Sequence, residues 1–300
     1  MDINRIIERE KQFIESICNT YQYDNNLRHI LLLLIPTFIL KYGIEKEQLI
    51  KNTFQSTRII PSNEESKMIR AYYVSTPYKD GEEIKTSKRM VIQNYHKNSL
   101  VELIDNLTHE FNHAINSYIN EIKIGKKYLY LRTGLTYRIY DKDNLSFLKK
   151  SSSYMLEEII NTKQTEDIIN RMKNMKLEDS TLQNMIDALN SETNSNYNSN
   201  SYYLQSAICK QIMENRTFIS TLEKLRINGD IYEIEKWFDD IVGEEKQYKR
   251  FLSLLNDIYE LEIEYTKTRF FKTRILNKIK GKGREITNII HKFNENVIFK

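Results

Sequence analysis

The run NLTHEFNHAINS, Asn106 to Ser117, sets His109 and His113 four residues apart, with Glu110 directly after the first. Residues four apart stack on one face of an α-helix. The spacing therefore presents two imidazoles side by side, as two ligands of one tetrahedral zinc require. Glu110 is turned by about 100° from His109, which keeps it from being a third ligand on that face and leaves it beside the metal. Zinc lowers the pKa of a bound water to about 7, and a carboxylate so placed takes the proton as the water attacks a carbonyl. H-E-x-x-H on a helix is the pattern of that chemistry. The competing reading makes the two histidines satisfied core residues of an ordinary buried helix. Against it stands the acid at the catalytic offset, which an inert helix has no use for.

These residues need a helix to carry them and elements to pack it. From Ser99 the apolar positions Leu100, Leu103, Ile104, Leu107, Phe111, Ala114, Ile115 and Tyr118 recur at helical spacing. Ahead of them, RIIP, KMIRAYYVSTPY and KRMVIQNYH are short stretches rich in β-branched and aromatic residues, and KDGEE separates the last two as a turn should. They predict a small antiparallel sheet. After the motif, YLYLRTGLTYRIYD predicts a hairpin turning near Thr133-Gly134, and YMLEEIINTKQTEDIINRM a further helix. The first fifty residues read as two or three helices, with Ile30 to Leu40 a buried core helix. NSETNSNYNSNS, Asn190 to Ser201, is a low-complexity loop that marks a boundary or a mobile segment. The order predicts a helix-dominant α+β chain. Residues 1–190 would form the core, and residues 191–300 a helical C-terminal subdomain.

THEFNHAIN resembles the active-site helix of the zincin metallopeptidases, and a strand segment followed by this helix is the core order of that superfamily. The metzincin branch would require Gly at 116 and His at 119, where this chain has Asn116 and Ile119. The gluzincin, thermolysin-like branch takes its third ligand from a glutamate on a later helix. That resemblance implies Glu158, with Glu157 as a rival about 100° away on the same helix and Glu166 further off. It implies one Zn2+ on His109, His113 and Glu158, Glu110 as general base, and a peptide or protein substrate. The thermolysin-like pattern also has an acid four after the ligand glutamate, where this chain has Thr162. The hydrogen-bond partners of the ligating histidines are then to be sought at Asp105, Asn116 or Asn161, Asp105 being readable as a mere helix-surface acid. Tyr154, Tyr202 and Tyr203 are candidates for stabilising the oxyanion, and MVIQNY, Met90 to Tyr95, for the strand edge that pairs with substrate.

Composition bounds the remaining choices. Three hundred residues, 40% hydrophobic and 29% charged with net charge +4, can bury a real core and carry no strong nucleic-acid signal. Eight Gly and three Pro favour long helices. Cys18 and Cys209 read as buried reduced thiols. The N-terminus lacks the apolar core of a signal peptide and no run is long enough to span a bilayer, so a cytoplasmic protein is expected. Lys267 to Arg284 holds eight Lys or Arg and no acid, a basic amphipathic helix. It reads as the solvated face of a packed helix or as a docking site for an anionic partner. A non-enzymatic binding module using that helix is the alternative to a metallopeptidase.

Overall fold

The computed structural model describes residues 2–64, 70–116, 122–124, 127–193, 197, 199, 202–228, 231–268 and 270–297. Ser117, Tyr118 and Ile119 lie outside them, as do Asn200 and Ser201 of the Asn/Ser-rich run and Arg269 of the basic run. Helices dominate and two small sheets accompany them, so the class is α+β. The chain divides into two compact units, Met1–Tyr118 with Gln164–Ser199, and Ile119–Lys163 with Asn200–Lys300.

The first unit begins with three helices, α1 (Ile3–Tyr21), α2 (Asn25–Tyr42) and α3 (Glu47–Ser56). Asp2 and Asp24 cap α1 and α2, each side chain accepting a backbone N–H of the first turn, from Asn4 and Leu27 respectively. α2 is apolar on every side, and Ile30 to Ile39 are all buried. Among the described residues no single helix is long and apolar enough to cross a membrane.

Strands β1 (Thr57–Pro61), β2 (Ala71–Asp80) and β3 (Glu83–Ile92) form a sheet in the order β1-β3-β2. The β2–β3 hairpin turns at Gly81, whose φ of +63° lies in the left-handed region that glycine enters at least cost. β1 runs parallel to β3, so the sheet is mixed where the sequence led us to expect antiparallel pairing. The hairpin takes one edge of β3, and β1 covers the other. Met90, Val91 and Ile92 consequently pair on both sides, with Ile59, Ile60 and Pro61 and with Tyr73, Tyr72 and Ala71. That corrects the choice of Met90 to Tyr95 as a substrate-pairing edge: in a central strand the ladder groups are already used. The edges belong to β1 and β2.

Helix α4 (Leu100–Asn116) follows. Ser99 and Glu102 start it with a capping box, Glu102 N donating to Ser99 Oγ at 3.2 Å and Ser99 N to Glu102 Oε2 at 3.0 Å. β4 (Ile122–Ile124), β5 (Tyr128–Thr133), β6 (Thr136–Asp141) and β7 (Phe147–Lys150) make an antiparallel sheet in the second unit. Its β5–β6 turn is at Gly134, φ +56°, as the Thr133-Gly134 pair predicts. α5 (Tyr154–Lys173) is one unbroken helix, and α6 (Ser180–Glu192) completes the first unit. Tyr197 and Ser199, described residues of the Asn/Ser run after α6, are held by side chains. Asn170 Oδ1 accepts from Tyr197 N at 2.8 Å, and Glu166 Oε1 from Ser199 N at 3.1 Å.

The second unit continues with α7 (Tyr203–Met213), α8 (Arg216–Asn228), α9 (Ile231–Val242), α10 (Gln247–Lys267) and α11 (Lys272–Val297), packed on a core that includes Phe218, Phe238, Phe251 and Phe293. Cys18 and Cys209 are free and buried. Burial pushes their thiols up to about 11 and about 12, so both stay protonated and inert near neutrality.

Candidate metal centre

From Leu103 to Asn116 every residue of α4 is buried. The apolar ones explain themselves: Ile104, Leu107, Phe111 and Ala114 are fully enclosed, and Phe111 stacks on Phe54 at 3.7 Å between ring centres. The polar ones cannot reach water freely and must find partners inside. Thr108 Oγ1 donates to Ile104 O at 2.6 Å and Asn116 Nδ2 to Asn112 O at 2.6 Å, both within the helix. Asn112 bridges two helices. Its Oδ1 accepts from Tyr42 Oη of α2 at 2.9 Å, and its Nδ2 donates to Thr165 Oγ1 of α5 at 3.3 Å.

One turn of α4 sets the His109 and His113 rings 5.0 Å apart, inclined by 77°, and each histidine keeps 8% exposure. His109, His113 and Glu158 each offer one ligand atom, and these atoms lie within 4.8 Å of one another. Glu158 rides on the same unbroken helix as Thr165. Two imidazoles and one carboxylate, grouped in this way among the described residues, are a donor set able to hold a metal ion.

The other acids of α5 are engaged elsewhere. Glu157 is buried and accepts from Leu135 N at 2.8 Å. Its carboxylate sits against Gly134, where a Cβ would collide with it. Glu166 holds Ser199. Neighbours on a helix point about 100° apart, so committing Glu157 to the β5–β6 turn directs Glu158 elsewhere.

Glu110 is buried, and its Oε2 accepts the backbone N–H of Tyr73 at 2.6 Å. β2 is an edge strand whose one sheet neighbour is β3, so this N–H is turned outward from the sheet. The bond fixes the carboxylate of the H-E-x-x-H glutamate against the strand edge.

Asp105 is not a surface acid. It is 9% exposed, and burial pushes its carboxyl up, while the nearby His109 and hydrogen bonds with Tyr197 and Ser199 act in the opposite direction. Ser199 Oγ lies 3.4 Å from Asp105 Oδ2. An acid one turn before His109 and electrostatically coupled to it suits the outer shell of a ligating histidine. Of the other candidates, Asn116 spends its amide within α4, and Asn161 is fully buried on α5. Thr162 donates its hydroxyl to Glu158 O at 2.9 Å.

Of the three tyrosines, Tyr154 and Tyr202 gather around Tyr259, with ring centres 5.9 and 6.0 Å from it. Burial raises the Tyr154 hydroxyl well above its ordinary range, as do a hydrogen bond with Tyr259 and the charge of Glu158, against the opposing bond from Tyr202. It is therefore a neutral group near Glu158. The Tyr203 side chain lies outside the described residues.

Sequence reasoning missed Tyr73, Tyr197, Ser199 and Tyr259. Tyr73 acts through its backbone, which leaves no mark in a sequence. Tyr197 and Ser199 were hidden in a low-complexity run. Tyr259 is one of 20 tyrosines.

The remaining histidines stand apart from the group. His96 lies edge-on to Tyr95 and His291 pairs with Glu295 at 3.2 Å on an exposed face. The basic run is not one helix. α10 ends at Lys267 and α11 starts at Lys272, with Phe271 between them at φ +63°. No family model matches this chain, and neither does any curated protein or solved structure.

Proposed function

We propose that the chain is a zinc-dependent metallopeptidase of gluzincin type. The observation that carries the reading is the triad of His109, His113 and Glu158 with Glu110 at the catalytic offset on α4. His109, His113 and Glu158 would hold the metal, and Asp105 would orient His109. A bound zinc would supply Lewis acidity and make water nucleophilic near neutral pH.

The rest of the chemistry falls to the chain itself. Glu110 takes the proton of the attacking water as the carbonyl carbon is added to, then delivers it to the departing amide nitrogen. Its Oε2 is steadied by Tyr73 N–H, so Oε1 is the oxygen assigned to the transfer. The outward N–H of Tyr73 is already taken by Glu110, so a substrate backbone would align along the remainder of the β2 edge. Tyr154, a neutral hydroxyl, is the donor assigned to the oxyanion.

Metal analysis by mass spectrometry on purified wild type, His113→Ala, Glu158→Gln and Glu110→Gln tests the reading. One zinc per chain is expected in wild type and in Glu110→Gln, and a marked loss in the other two. Peptide cleavage should then be present in wild type and absent in Glu110→Gln. Wild type that takes up no stoichiometric metal when supplied with zinc would overturn the proposal. A non-enzymatic binding protein would then be the reading left.

A further inference from the structure

Among the described residues, the two most exposed large apolar side chains are neighbours. Phe270 and Phe271, each 75% exposed, occupy the turn between α10 and α11. The turn is built. Thr268 N donates to Glu264 O at 3.0 Å and Thr268 Oγ1 to Phe270 O at 2.8 Å, while Phe271 O accepts from Ile275 N at 3.1 Å. Phe271 is held in the left-handed region at φ +63°, a conformation that residues with a Cβ rarely adopt. Local bonding thus presents two aromatic rings to solvent on the tip of a helical hairpin.

The charges around the tip are of one kind on α11. Lys272, Arg274, Lys278, Lys280 and Arg284 are exposed, as is Lys267 at the end of α10. Elsewhere on this hairpin the cations are paired, Lys282 with Asp257 at 2.6 Å and Arg250 with Glu285 at 2.8 Å. Among the described residues, Lys267, Arg274, Lys278, Lys280 and Arg284 have no acidic partner, and Lys272 lies over the Tyr265 ring at 4.8 Å. The acids near the tip, Glu260 and Glu264, sit on α10, where they line a shallow hollow with Lys267 and Thr268. They direct α11, not α10, toward an anionic surface.

Adjacent protruding aromatics flanked by uncompensated cations are the composition of an interfacial membrane anchor. A single-stranded nucleic acid would want its aromatics along a basic groove that tracks the strand, whereas these rings project from a turn. We propose that the α10–α11 tip docks the protein on an anionic lipid bilayer. Phe270 and Phe271 enter the headgroup region, and Lys272, Arg274 and Lys278 face the lipid phosphates. The inference is independent of the metallopeptidase reading.

Vesicle flotation of the full chain tests it, using vesicles of equimolar phosphatidylcholine and phosphatidylserine beside vesicles of phosphatidylcholine alone. Wild type should float with the anionic vesicles, and added salt should weaken it. The Phe270→Ala/Phe271→Ala double variant should bind at least about tenfold more weakly. Each of Lys272→Ala and Arg274→Ala should cost about fivefold. These side chains are exposed, so unchanged circular dichroism is expected and any loss reads as loss of docking. Wild type that ignores the anionic vesicles would overturn the proposal, and so would double-variant binding equal to wild type. Retention of single-stranded RNA without vesicle binding would overturn it in favour of a nucleic-acid partner.

Discussion

Helices α4 and α11 both carry an apolar stripe at helical spacing, and they treat their polar residues in opposite ways. α11 buries Ile275, Ile279, Ile286, Ile289, Ile290 and Phe293 and leaves its lysines and arginines in or near water. α4 buries Asp105, Asn106, Thr108, His109, Glu110, Asn112, His113 and Asn116 along with its apolar residues. A charged or amide group left in water costs nothing, but one taken into the interior costs several kcal/mol unless its hydrogen bonds are replaced. The α11 pattern is what solubility asks of a packed helix. The α4 pattern is a sustained expense, met by partners such as Tyr42, Tyr73, Thr165 and Ser199, and it is the burial on which the proposed metal site draws.

The two helices should differ most at their glutamates. Glu110→Gln should lower peptide turnover by about a thousandfold while leaving bound zinc in place, whereas Glu285→Gln on α11 should leave turnover unchanged. Steady-state kinetics beside metal analysis checks both, and equal effects would remove the distinction. Next in size is the apolar side of α4. Phe111→Ala, which empties the stack on Phe54, should lower unfolding free energy by about 3–5 kcal/mol in urea titrations. Leu276→Ala, 39% exposed on α11, should cost well under half of that.

Glu10, by contrast, is a fully buried acid with a structural task. Burial alone would raise its carboxyl, but hydrogen bonds from Lys51 and Arg9 outweigh it and hold the group below the usual carboxylate range. A depressed folded value means that the stabilisation is present above the unfolded value of about 4.3 and is lost as pH falls through the folded one. Glu10→Gln should therefore lower the melting temperature at pH 7 and matter progressively less in acid. Thermal scans across pH would show this, and a penalty that does not shrink in acid would contradict it. Asn112→Ala removes the hydrogen bonds to Tyr42 and Thr165 from a buried position and should cost about 1–3 kcal/mol. The smallest effect belongs to the exposed face of α11: Lys280→Ala should change stability by less than about 0.5 kcal/mol.

Much of the local architecture is legible in the chain. Ser99 and Glu102 announce the start of α4, Gly81 and Gly134 the two hairpin turns, and an apolar run with Pro36 inside becomes a buried helix. Less legible was whatever depended on a distant neighbour. The parallel placement of β1 follows from which edge of β3 the hairpin leaves open, and no residue in RIIP encodes that. The break at Thr268 to Phe271 was hidden because Phe271 adopts a backbone conformation usually reserved for glycine. Residues 119–163 cluster with 200–300 although they lie between two segments of the first unit. Composition is uniform across those joins.

The sequence by itself determined that His109 and His113 share a face and that Glu110 stands beside them. Those relations follow from 3.6 residues per turn, a property of the backbone that local residues suffice to establish. The tertiary structure alone decided the rest of the site. Glu157 and Glu158 are the same residue type one position apart, and what separates them is the amide of Leu135 waiting for one of the two carboxylates. Asp105 looks like any acid on a helix until Tyr197 and Ser199 are brought onto it from a segment about ninety residues further along. The N–H of Tyr73 that steadies Glu110 is identical in every non-proline residue, so only its position on the edge of β2 makes it particular.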